Sequence, residues 1–147
     1  MMADGSIETV SWESANDSLS EHIGISLFCL NKLNSIPKDH YVFLDRIDEW
    51  EELSDLDILK DARCVNEMSG FIYIITDLSY RKDVGVFKVL FHELTIFIEK
   101  YRNKYKECFF NGDVIFICPK KNIFLIFQHD GYFISYTLPL ILNSGAE

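Results

Sequence analysis

His92-Glu93 is the first place where this chain could do chemistry, because a histidine followed by a glutamate opens the zinc-binding HExxH helix. Position 96 is Ile, where the second histidine must stand, so the motif fails. The pair then reads as a helix-face histidine beside a solvated carboxylate. His22 and Cys29 fall seven positions apart and on one helix would share a face, but two ligands do not hold a metal ion. His129-Asp130 has the composition of an acid–base pair, yet Gly131 follows, and a hairpin turn accounts for both residue types. No elbow motif presents a serine or cysteine nucleophile, although the four cysteines and four histidines leave pairing through the fold open. The seven glycines form neither GxGxxG nor GxxxxGK[ST], so a phosphate-cradling loop is not expected. Neither a catalytic residue nor a cofactor or metal is assigned.

The strongest local signal is electrostatic. Between Asp45 and Asp61 stand eight carboxylates, Asp45, Asp48, Glu49, Glu51, Glu52, Asp55, Asp57 and Asp61, against Arg46 and Lys60 alone. Gathering like charges costs stability through self-repulsion, and Trp50 stands among them with Leu53, Leu56 and Leu59 as the expected inward side. One reading is a well-solvated surface helix. The other is a docking surface for a basic partner: carboxylates steer association, Trp50 or Tyr41 is the aromatic anchor, and the carboxylates imitate phosphates. The candidate partner-binding set is Asp45, Asp48, Glu49, Trp50, Glu51, Glu52, Asp55 and Asp57.

These residues need a scaffold, and the pattern predicts one. Residues 1–16 are Ser-rich and acidic and read as a flexible arm or edge strand, with a single domain over 17–147. Ser18 and Glu21 have capping-box spacing, and Leu19, Ile23, Leu27, Leu30 and Leu33 recur at helical intervals, predicting a first helix that ends near Asn34. Tyr41 to Leu44 is β-prone, and the acidic segment suits one or two short helices, the second capped by Ser54. Phe71 to Ile75 reads as a buried strand. Val86, Leu90, Phe91, Leu94, Phe97, Ile98 and Tyr101 fall at three- and four-residue spacing, predicting a long amphipathic helix. Val114 to Cys118, Ile123 to Phe127 and Tyr132 to Thr137, separated by short turn-forming segments, predict an antiparallel meander. Its aromatic residues alternate on both sides, so either the sheet is covered on both faces, which is the expectation, or one apolar face is left uncovered. The expected class is α+β: a mostly antiparallel sheet with a C-terminal three-strand meander, packed against about three helices.

The 147 residues match one domain, and an apolar share of 48% supplies a core. A formal net charge of −9 repels phosphate backbones, so direct nucleic-acid binding is disfavoured and a basic protein partner favoured. The apolar stretches are too short to span a bilayer. No secretory signal pattern is seen at the N-terminus, so Cys29, Cys64, Cys108 and Cys118 are expected as reduced, buried thiols in the cytoplasm. A small acidic chain of this kind, rich in Phe and Tyr and without active-site motifs, resembles the immunity proteins of bacterial polymorphic toxin and contact-dependent growth inhibition systems. That resemblance implies an antitoxin-like inhibitor that binds a cognate toxin domain, often a basic nuclease. Two other classes stay open: a small enzyme or ligand-binding domain using His92, Glu93 or His129 in a pocket between sheet and long helix, and a structural subunit of an oligomer.

Overall fold

A computed structural model describes residues 7–81 and 83–142. Strands β1 (Thr9–Val10), β2 (Tyr41–Arg46), β3 (Phe71–Ile75), β4 (Val86–Leu90), β5 (Val114–Cys118), β6 (Ile123–Phe127) and β7 (Tyr132–Tyr136) pair throughout antiparallel. They form one seven-stranded sheet in the order β1-β4-β3-β5-β6-β7-β2. Helices α1 (Trp12–Ile23), α2 (Asp55–Asp61) and α3 (Leu94–Tyr105), with several short 3₁₀ segments, cover its two faces. The α+β class and the C-terminal meander β5-β6-β7 are as expected.

Side chains of a strand alternate between faces, and here both faces are buried. On β5, Val114, Phe116 and Cys118 join one core with Phe127 and Phe133, beneath Ile58 of α2, Val65, and Leu94, Phe97, Ile98 and Tyr101 of α3. Ile115 and Ile117 join the other with Phe124 and Tyr136, beneath Ala15, Leu19 and Ile23 of α1 and Leu27 and Leu30 of the 3₁₀ segment Leu27–Ser35. The aromatic meander is therefore covered on both sides.

Two elements differ from the sequence reading. The first helix starts at Trp12, not Ser18, because the Ser11 hydroxyl accepts from Ser14 N at 3.0 Å and caps it. It ends at Gly24, whose φ of 92° suits glycine and whose N–H donates to Ser20 O at 2.9 Å; the run beyond is 3₁₀. Residues 9–16 thus hold the edge strand β1 and the first turns of α1, while residues 1–6 of the predicted arm lie outside the described residues. The predicted long helix begins only at Leu94, since Val86 to Leu90 form β4. Val86, Leu90 and Leu94 sit at intervals of four, which also satisfy the strand period of two, and β-branched and aromatic content decides for the strand.

The buried Tyr101 hydroxyl shares a hydrogen bond with Thr76 Oγ1 at 2.9 Å, and Thr76 caps the 3₁₀ segment Asp77–Tyr80. Burial pushes the Tyr101 phenol up to about 12 and the Cys64 thiol up to about 11, the latter aided by Asp45. Each folded-state value exceeds its unfolded one, so each contributes stability that is complete below the unfolded value and is lost as pH rises through the folded one. The expected result is a loss of stability in denaturant melts from about pH 9 up to about 12. In Tyr101→Phe the fall above pH 10 is shallower. That variant should also cost about 1 kcal/mol at neutral pH, through the lost hydrogen bond.

Candidate functional site

Strand register, more than local sequence, gathers the acidic residues. The C-ends of β1, β3, β6 and β2 lie beside the N-ends of β4, β5 and β7, through the pairs Val10 with Val86, Ile75 with Ile115, Val114 with Phe127, and Arg46 with Tyr132. At this end the exposed carboxylates Glu13, Asp48, Glu49, Asp77, Asp83, Asp113 and Asp130 flank the strands, with Arg46, Arg81 and His129 among them. At the opposite end Lys38, Lys120 and Lys121 stand in the connections, with His40 and His92, against Glu8, Asp39, Glu67 and Glu93. The excess of carboxylates is thus concentrated at the first end.

The acidic connections touch one another in a row. Ile47 N donates to Gly131 O at 2.8 Å, tying the 47–52 loop to the β6–β7 turn. Gly131 has a φ of 96°, and a Cβ there would meet Ile47 O at 2.9 Å and Trp50 Cδ1 at 3.0 Å, so glycine is required for this approach. Next along the row, His129 N donates to Asp113 Oδ1 at 2.9 Å and its ring Nδ1 lies 3.0 Å from the same oxygen. Beyond it, Asp77 Oδ2 lies 2.6 Å from where a Gly112 Cβ would be. The Asp113 hydrogen bond, then its charge, raises the exposed His129 above its ordinary value of 6.5. An NMR titration should find His129 elevated, and Asp113→Asn should return it toward 6.5.

Of the residues expected to bind a partner, Glu49, Glu51, Glu52 and Asp57 are exposed and form no ion pair with the described residues. Asp48 is exposed and paired with Arg46. Asp45 is half-buried and shares a shallow depression with Lys60 and Arg63. Trp50 is half-buried, its ring edge-on to Phe127 at 5.3 Å, so it belongs to the core margin. Asp55 is only 2% exposed; its carboxylate accepts from Phe109 N at 2.7 Å and Phe110 N at 3.0 Å, and Arg102 Nε lies 3.7 Å away. It anchors the connection after α3 and is not part of a docking surface. Ser54 caps α2 by accepting from Asp57 N at 3.2 Å, as expected.

Exposed apolar side chains stand elsewhere. On β2, which among the described residues pairs with β7 alone, Val42 is 54% exposed, Phe43 50% and Leu44 44%. This unpaired strand edge runs directly into the acidic loop. Tyr41 is half-buried against Tyr136 at 5.3 Å.

A cavity of about 520 Å³ opens near the acidic end on the α1 face. Leu27, Leu30, Ile115 and Ile126 line its interior, with Trp12, Phe28, Tyr80, Asp77 and Asp113 also on its walls. Trp12 stands between Tyr80 at 5.0 Å and Phe28 at 6.3 Å, its indole N–H donating to Ser79 O at 2.9 Å. Burial, then the charges of Asp77 and Asp113, push the Tyr80 phenol up. Nothing in the sequence groups these residues into one site, because they come from five separate segments.

The remaining candidates do not converge. His92 and Glu93 are exposed at the opposite end of the sheet, 4.0 Å apart, while His129 is at the acidic end. His22 ends α1 whereas Cys29 lies in the following 3₁₀ segment, so they share no helix. Among the described residues, no group of three or more His, Cys, Asp or Glu side chains is placed to hold a metal ion. All four cysteines are free thiols, but Cys108 is exposed and Cys29 and Cys64 are half-buried, which corrects the expectation that all are buried. No helix among the described residues is long and apolar enough to cross a membrane. No family model, curated protein or solved structure matches this chain, so any reading of its function rests on its own geometry.

Proposed function

We propose that this chain is a protein-binding inhibitor of the immunity type, which neutralises a basic toxin domain, such as a nuclease, in the cytoplasm. The observation that carries the reading is the row of exposed carboxylates around Glu49, Glu51 and Glu52 beside the apolar edge Val42-Phe43-Leu44. Unneutralised carboxylates draw in a basic surface over about a Debye length and reject nucleic acid. An apolar strand edge then supplies burial and free backbone groups for pairing. A charged rim around apolar anchors is how specific protein interfaces divide the work between rate and affinity. Four free thiols suit a reducing compartment.

The test is capture from extracts of the native host with tagged chain, alongside the E49K/E51K/E52K variant. Any basic protein held by the first bait and lost by the second is then expressed with and without the chain. The expected result is growth arrest by the partner alone and rescue by co-expression. A partner that is harmless alone, or that arrests growth in spite of the chain, would contradict the proposal.

A further inference from the structure

We infer that the cavity bounded by Trp12, Phe28, Tyr80, Asp77 and Asp113 is the seat for an arginine side chain, with a neighbouring apolar residue, from the basic partner. This rests on the docking reading above and extends it to a second contact. Three observations converge. The lining includes two carboxylates and no Lys, Arg or His, so its charge complements a cation. Phe28 at 60% exposure and Tyr80 at 62% flank Trp12, giving an aromatic wall on which a planar guanidinium stacks. The apolar interior of Leu27, Leu30, Ile115 and Ile126 receives the methylene stem and the adjacent apolar side chain, for which 520 Å³ leaves room.

Position supports the same occupant. Asp113 holds the His129 turn, and that turn contacts the 47–52 loop, so a partner lying on Glu49 to Glu52 reaches the cavity along one continuous ridge. Asp113 already accepts from His129, whereas Asp77 takes no hydrogen bond from the described residues. Asp77 is therefore assigned as the carboxylate that meets the guanidinium.

The probe is acetyl-Leu-Arg-Leu-amide, compared with the same peptide carrying citrulline, a neutral near-isostere of arginine. Binding is read at the Trp12 indole N–H by NMR, with the Trp50 indole as an internal control. Arginine peptide should move the Trp12 signal and leave Trp50 in place. Citrulline, or Asp77→Asn, should weaken binding about ten-fold or more, the scale of a lost charge-assisted hydrogen bond. Phe28→Ala/Tyr80→Ala, at exposed positions that leave the core intact, should weaken both the peptide and the captured partner. Equal binding of the two peptides, or no shift at Trp12, would overturn the assignment. The peptide arm requires no partner, so its failure removes the cavity assignment alone; failure of the rescue experiment with the arginine peptide still bound removes the toxin as the source of the arginine and leaves the cavity as an arginine site.

Discussion

Replacing Asp55 with alanine is expected to lower unfolding free energy by about 3–5 kcal/mol, as much as truncating a buried phenylalanine. The carboxylate receives two buried backbone donors, Phe109 N and Phe110 N, which no other group is placed to satisfy. Removing it orphans both donors and strips Arg102 of the carboxylate 3.7 Å away. Phe109 and Phe110 then lose the constraint that seats them against Phe97, Tyr101, Phe116 and Phe127. Asp55→Asn keeps the volume and one acceptor and should lose roughly half as much. Urea melts of the three proteins decide it; an alanine variant within about 0.5 kcal/mol of the parent would mean the loop holds itself in place.

The second large effect is on association. The E49K/E51K/E52K variant moves the formal net charge from −9 to −3, two for each substitution, and inverts the field over the acidic loop. Its association rate with the proposed basic partner should fall by on the order of 10–10³-fold, the range that steering supplies. Its stability should stay within about 0.5 kcal/mol, because all three side chains are exposed and outside any ion pair with the described residues. Stopped-flow mixing and urea melts separate the two. A variant that binds as fast as the parent would show that the apolar strand edge acts without steering.

The contrast between Asp55 and Glu49 to Glu52 marks what the sequence makes legible. A dense run of acids is visible at once, but which of them is exposed depends on partners far along the chain: the two donors to Asp55 lie 54 and 55 residues away. Asp77 and Asp113 were silent for the same reason. Each is an ordinary loop residue in sequence, and only strand register brings them into one row with the His129 turn and the 47–52 loop. The meander was readable because turn residues punctuate strongly β-prone runs. Strand β4 was not, because its apolar spacing fits a helix equally well and its pairing with β3 is non-local. Strand β1, two residues long, carries no periodicity to read.

If the acidic end of the sheet draws in a basic protein partner, the association rate constant with that partner depends on ionic strength, and it is best measured for the parent chain and for E49K/E51K/E52K together. The expected result is a steep fall with added salt in the parent and a flat or inverted dependence in the variant. A parent rate indifferent to salt would rule out steering by the acidic end.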